Sequence, residues 1–318
     1  MREVYATAAR WLDEGRTFAL ATLVTLREAA MAPIGTTIAV DAGGRIVGNI
    51  GTGCHESEIV EAAAQTARDG RTRLLDINLT IEDEIFAAPG CGAIMQVVTW
   101  LPESAFAEEA RAIAAGERAA YVTFDYADAA GSRQIFRNEY PPKESLILIG
   151  ATALAAELAA IAPRSDFHVI VVDPRPSFAT KERLGQAPQI VREWPQEYLP
   201  SALSERTHVV MLSHDPKFDL PALRCALLSA APYIGLLGSR RSQSARRAAL
   251  AEDGFDESAL ARIHGPAGLD IGGATIAETA LSILAEIVAN RHERLGSPLG
   301  ASASQIHRRE ELVANPTR

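Results

Sequence analysis

The sequence is short of cysteine, of positive charge and of long apolar runs, and each shortage closes a class of function. Three cysteines (Cys54, Cys91, Cys225) occur in 318 residues. They are too few, and oddly numbered, for a disulfide framework, so they are read as reduced thiols of a cytoplasmic protein. Lys and Arg number 31 against 40 Asp and Glu, for a formal charge of −9. That balance opposes a nucleic-acid binder, which would carry a basic face. No run approaches the roughly 18 apolar residues of a membrane span. The first residues, MREVYATAARWLDEGR, carry charge throughout and lack the apolar core of a signal peptide. Seven histidines are scattered, without His-x-x-x-His or Cys-x-x-Cys, and no metal-ligand set is read. There is no internal repeat.

What remains is ordinary globular material, 47% hydrophobic and 22% charged, long enough for two domains of roughly 150 residues each. The stretch Leu146–Pro176 organises the rest. An apolar run (Leu146–Ile149) breaks at Gly150, and Leu154, Leu158 and Ile161 follow at helical spacing. A β-branched run (Val169–Val172) then ends in Asp173. Strand, glycine turn, helix, strand and acid make the opening unit of a dinucleotide-type fold. An acid roughly 20 residues beyond the glycine turn is placed to take a ribose hydroxyl. The fingerprint reads Gly150, Thr152 and Ala155, with threonine where a middle glycine would let a pyrophosphate approach the backbone. Either NAD(P) binds there or the architecture stands without it.

The expected fold is α/β, an N-terminal α+β domain followed by a C-terminal Rossmann-like doubly wound parallel sheet. The first domain spans 1–101. It holds a helix at Val4–Glu14, a strand at Thr17–Thr25, and a hairpin of Thr36–Val40 and Arg45–Ile50 around Asp41–Gly44. A helix from about Cys54 to Arg68 and strands at Thr72–Leu79 and Ala93–Leu101 complete it. A connecting helix, hairpin and linker fill 102–143, closing on Glu139-Tyr140-Pro141-Pro142-Lys143, where consecutive prolines continue neither element. The Rossmann-like domain is 144–291. Its strands are expected at 146–149, 168–172, 208–212 and 233–237, and its helices at about 152–162, 218–230, 240–252 and 275–290. A charged tail covers 292–318.

Five stretches could carry chemistry. Gly90-Cys91-Gly92 sets a thiol on a backbone that permits close approach, or is a small core cysteine. Gly53-Cys54 opens a helix, where the dipole lowers a thiol pKa and Glu56 and Glu58 oppose it, or is a plain helix N-terminus with a packed cysteine. Ser213-His214-Asp215 follows a strand, so His214 and Asp215 face the crevice of a parallel sheet or merely cap a turn. Gly235-Leu236-Leu237-Gly238-Ser239-Arg240-Arg241 runs a strand into an N-capped helix and either complements a phosphate or is a structural turn. Gly265-Pro266-Ala267-Gly268-Leu269-Asp270-Ile271-Gly272-Gly273, before the capping box Thr275–Glu278, holds more glycine than a mere connector needs and reads as a backbone-lined pocket edge. Glu286, amid Leu281, Leu284, Ile287 and Val288, needs a partner.

In their joint order these segments resemble the xanthine dehydrogenase accessory protein family (XdhC/CoxI), over nearly the whole chain to about Arg291. The most specific pieces are DPRPSF (Asp173–Phe178), SHDPKFDLPAL (Ser213–Leu223), YIGLLGSRRS (Tyr233–Ser242) and GLDIGGATIAETALSILAEIVA (Gly268–Ala289). Upstream, VDAGGRIVGNIGTGCHE (Val40–Glu56) and GCGAIMQVV (Gly90–Val98) are similar to its glycine-cysteine segments. Thr52-Gly53-Cys54 and Cys91-Gly92-Ala93 depart from the family's Gly-Gly-Cys and Cys-Gly-Gly, which marks a divergent member. The resemblance implies an accessory protein rather than a classical enzyme. Such a protein binds molybdenum cofactor (molybdopterin or its dinucleotide form), protects it during sulfuration and inserts it into a molybdenum hydroxylase apoenzyme. It implies a homodimer, and a cysteine desulfurase as a further partner. Cys91, then Cys54, become the cofactor-proximal thiols, and the segments at Gly235–Arg241 and Gly268–Gly273 part of the Rossmann half of the cleft. The competing readings are an NAD(P)-dependent oxidoreductase and a sulfurtransferase-like enzyme using Cys91.

Overall fold

The computed structural model describes residues 1–27, 32–51, 55–78, 94–186, 188–213 and 215–301. The chain divides into two compact units, with the break between Pro142 and Lys143.

The first unit runs α1 (Arg2–Asp13), β1 (Phe18–Arg27), β2 (Thr37–Asp41), β3 (Ile46–Val47), α2 (Glu56–Asp69), β4 (Arg73–Asn78), β5 (Ile94–Trp100), α3 (Phe106–Ala115), β6 (Ala120–Ala127) and β7 (Arg133–Tyr140). Its antiparallel sheet has the order β3-β2-β1-β5-β4. Residues of β1 are buried on both faces, which is why FALATLVTLR carries no polar alternation. Phe18, Leu20 and Val24 join Tyr5 and Trp11 of α1, while Ala19, Ala21 and Leu23 join Ile59 and Ala63 of α2. The second hairpin strand, expected over Arg45–Ile50, is only Ile46–Val47. Gly48 turns the chain there, and its α-carbon stands so close to Val4 that an added Cβ would lie 2.6 Å from Val4 Cγ2.

The second unit runs β8 (Glu144–Ile149), α4 (Ala153–Ile161), β9 (Phe167–Val172), α5 (Lys181–Leu184), β10 (Gln189–Val191), α6 (Pro195–Ala202), β11 (Thr207–Met211), α7 (Pro216–Leu227), β12 (Tyr233–Leu236), α8 (Arg240–Glu252), α9 (Glu257–Leu260), β13 (Ile263–His264) and α10 (Ile276–Arg291). All six strands are parallel, in the order β10-β9-β8-β11-β12-β13. This is the doubly wound Rossmann arrangement, with its switch point between β8 and β11. Leu146 and Leu148 pack against α4 and α10, and Ile147 and Ile149 against α6 and α7. Each such buried side chain contributes about 1.5–3 kcal/mol. The short strands β10 and β13 are not foreseen from the sequence, because two or three residues hold no readable period. Helix α7 begins at Pro216 rather than 218, since Asp215 caps it by accepting a hydrogen bond from Lys217 N.

Candidate functional site

The carboxyl ends of the parallel strands collect the described candidates on one edge. After β8 the chain turns at Gly150, whose φ is +105°. A Cβ there would stand 3.0 Å from Ser213 Cα, so the turns after β8 and β11 touch and only glycine fits. Thr152 follows as the N-cap of α4, its Oγ accepting from Ala155 N at 3.2 Å. The threonine in the fingerprint therefore has a structural task, satisfying an otherwise orphaned amide.

Thr152 also borders a cavity of about 320 Å³, lined by Thr152, Ala153, Leu154, Leu212, Leu237, Ile276 and Thr279. It lies where the starts of α4 and α10 approach the ends of β11 and β12, next to the switch point where open α/β sheets take ligands. Helix α10 opens with the expected capping box: Thr275 Oγ accepts from Glu278 N at 3.1 Å, and Glu278 accepts from Thr275 N at 2.8 Å. Sequence reasoning did not find the apolar lining, because Leu154, Leu212 and Leu237 look like any core leucine until topology sets them around a void.

Asp173, at the end of β9, turns inward. Its side chain is buried, Oδ2 accepting from Ala151 N at 2.8 Å and Arg175 Nη2 at 2.7 Å. Oδ1 accepts from Arg175 N and Nε, both at 2.9 Å. Burial raises its pKa, but the Arg175 guanidinium and the two amides outweigh this and hold the carboxyl below its ordinary value. Every acceptor position expected to meet a ribose is filled from within the protein.

After β11 a buried polar cluster ties the turn at Ser213 to helices α7 and α8. Ser213 Oγ donates to Asp219 Oδ1 at 2.6 Å, and Arg246 Nη2 donates to Oδ2 at 2.7 Å. Asp219 is 1% and Arg246 7% exposed. Gly238, at φ +134°, sits against Ser242 and Arg246, and Ser239 caps α8 by accepting from Ser242 N. Arg240 is the first residue of α8. Glu286 has the partners it needs, accepting from Tyr233 Oη at 2.5 Å, Gly268 N at 2.7 Å and His264 Nδ1 at 3.3 Å. These bonds anchor the start of the glycine-rich loop to α10, whereas Asp270 and Gly272 in its later part are exposed and outside the cavity lining.

Gly53, Cys54, Gly90, Cys91, Gly92 and His214 lie outside the described residues. The first unit has its own cavity of about 340 Å³, lined in part by Val4, Thr36, Thr37, Gly48, Asn49 and Gly51. Thr37 belongs to a buried hydroxyl chain with Tyr5 and Tyr140.

Residues 146–287 match the XdhC Rossmann domain, and residues 11–78 match the XdhC and CoxI family. The chain belongs to the XdhC and CoxI family. It is similar to a probable xanthine dehydrogenase subunit of Bacillus subtilis, 30% identical over 158 residues, which are 49% of this chain and 46% of the relative. It is also 24% identical to the uncharacterized protein YqeB of Escherichia coli over 90% of this chain, again 46% of that relative. The chain thus spans less than half the length of these two. It aligns nearly end to end with the molybdenum cofactor insertion chaperone PaoD of Escherichia coli, at 23% identity over 95% of this chain and 92% of PaoD. Among solved structures, one described as a xanthine dehydrogenase from Bacillus halodurans shares the fold, with TM-score 0.76 and 20% identity over 94% of this chain and 98% of that one. Among the described residues no helix is long and apolar enough to cross a membrane.

Proposed function

We propose that this chain carries molybdenum cofactor as cargo, guarding it while its terminal sulfido ligand is installed and delivering it to the apoenzyme of a xanthine dehydrogenase-type molybdenum hydroxylase. The observation that carries this reading is the near full-length similarity to a molybdenum cofactor insertion chaperone, 92% of which is covered. The local chemistry supports it. A phosphate-bearing ligand asks for N–H donors, and the first turns of α4 and α10 supply them beside the hydroxyls of Thr152 and Thr279. A flat pterin asks for apolar walls, which Leu154, Leu212, Leu237 and Ile276 provide. At about 320 Å³ the cavity is at the small end of ligand-sized pockets. None of its lining residues is ionisable, which suits holding rather than turnover.

The first-unit cavity is lined by Gly48, Asn49 and Gly51 of the segment that runs on to Cys54. A soft thiol, for which Cys54 and Cys91 are the candidates, is the donor type for molybdenum or its dithiolene. A cysteine desulfurase as sulfur source and a homodimeric state belong to the same proposal. The test is purification from cells that make the cofactor, with bound molybdenum and pterin assayed in wild type, Cys91→Ala and Thr152→Trp. Pterin is expected with the wild type and depleted in both variants. Wild-type protein without pterin, but with tight nicotinamide binding, would sink the carrier reading. Full retention by Cys91→Ala would remove that thiol from the site.

A further inference from the structure

A dinucleotide on a Rossmann sheet lies across the start of the first helix and sets one ribose on the acid that ends the second strand. Here that acid is Asp173, and the place of the ribose is taken. Arg175, two residues on, folds back over the carboxylate with Nε on Oδ1 and Nη2 on Oδ2. A guanidinium fork satisfies a carboxylate as two ribose hydroxyls would, with charge added. Two aromatic rings lie against the fork. Its Cζ lies 4.2 Å from the centre of the Phe178 ring and 5.0 Å from that of Phe218. Trp194 stacks on Phe218 at 5.2 Å and 18°. The open volume lies instead toward β11 and β12.

We propose that Arg175 is a built-in occupant of the ribose subsite, a specificity-determining residue that closes the β9 edge to nucleosides and confines the crevice to compact phosphate esters. Thr152 acts in the same sense, placing a branched side chain where the fingerprint would have glycine. For the identity of the admitted ester as molybdopterin the inference rests on the carrier reading; for the exclusion of nucleosides it does not. The opposite use of Arg175 would be to swing outward and grip the 2′-phosphate of NADP, a role arginines near this acid can take, and the experiment separates the two.

Binding of NAD and NADP is measured by calorimetry on wild type, Thr152→Gly, Thr152→Gly/Arg175→Ala and Thr152→Gly/Phe178→Ala, each checked for native circular dichroism. Glycine is well tolerated at an N-cap, so the background variant keeps its fold. With Arg175 as occupant, the wild type binds neither nucleotide below millimolar concentration. The Arg175→Ala double variant binds NAD at least tenfold more tightly than Thr152→Gly alone. Phe178→Ala, which loosens the fork without removing it, gives a smaller gain of the same sign. Equal NAD affinity in Thr152→Gly and its Arg175→Ala derivative overturns the proposal. So does micromolar NADP binding by wild type that Arg175→Ala abolishes. Wild type lacking pterin from cofactor-producing cells, together with the NAD gain, would sink the carrier reading and leave Arg175's role standing.

Discussion

Replacing Asp219 by alanine would strand a buried arginine without the carboxylate it pairs with, and the structure sets the size of the effect. Arg246 is 7% exposed and its Nη2 sits 2.7 Å from Asp219 Oδ2, while Ser213 Oγ donates to the other oxygen. Removing one member of a buried ion pair leaves an uncompensated charge and costs about 3–5 kcal/mol. Taking a urea slope of about 2 kcal/mol/M for a unit of this size, the unfolding midpoint of the second unit falls by roughly 1.5–2.5 M. Trp194 is the tryptophan of that unit, Trp11 and Trp100 lying in the first. Its fluorescence, taken by difference against Trp194→Phe, follows the transition. The apolar pair Asp219→Leu/Arg246→Met should recover more than half of the loss, since replacing both partners removes the stranded charge. A midpoint shift in Asp219→Ala below about 0.3 M, or a double variant as unstable as the single one, would refute the reasoning.

Two further predictions use the same readout. His208 is 1% exposed, with Nε2 at 2.8 Å from Glu144. Burial pushes its pKa down and Glu144 only partly restores it, so the unfolded chain takes the proton first. Stability should be whole above the ordinary histidine value of about 6.5 and drain as pH falls below it; His208→Gln should flatten that slope between about pH 7 and 5.5, and an unchanged slope would exclude His208 as its source. Gly150→Ala forces φ +105° on a side chain whose Cβ meets Ser213 backbone at 3.0 Å. The left-handed strain alone is about 1–2 kcal/mol, so a loss of at least about 2 kcal/mol is expected, and a neutral result would mean the turns after β8 and β11 are free to separate.

Much of the fold was legible because it repeats a pattern over many residues. The apolar run at Leu146–Ile149, the helix period after Thr152 and the β-branched run at Val169–Val172 each carry their element in local chemistry alone. Thr275 and Glu278 announced a capping box, and the structure has it. The prolines at 141 and 142 lie at the break between the units. Elements too short to hold a period, β10 and β13, were not legible, and the β3 strand ended early where Gly48 meets Val4 from α1.

The site divides along the same line. The sequence by itself determined which residues could cap, turn or bear charge: Gly150, Thr152, Asp173, Ser239 and Glu286 stand at positions their chemistry explains. Only tertiary structure decided what those residues face. Asp173 and Arg175 are neighbours in sequence, yet that the acid is consumed by the arginine depends on aromatic rings from residues 178 and 218 lying against the guanidinium. Leu154, Leu212, Leu237 and Ile276 come from four separate segments and line one cavity only because the parallel sheet brings its strand ends to a common edge. Spacing along a chain records local bonds; the walls of a pocket are set by contacts between segments far apart in sequence, which no local period encodes.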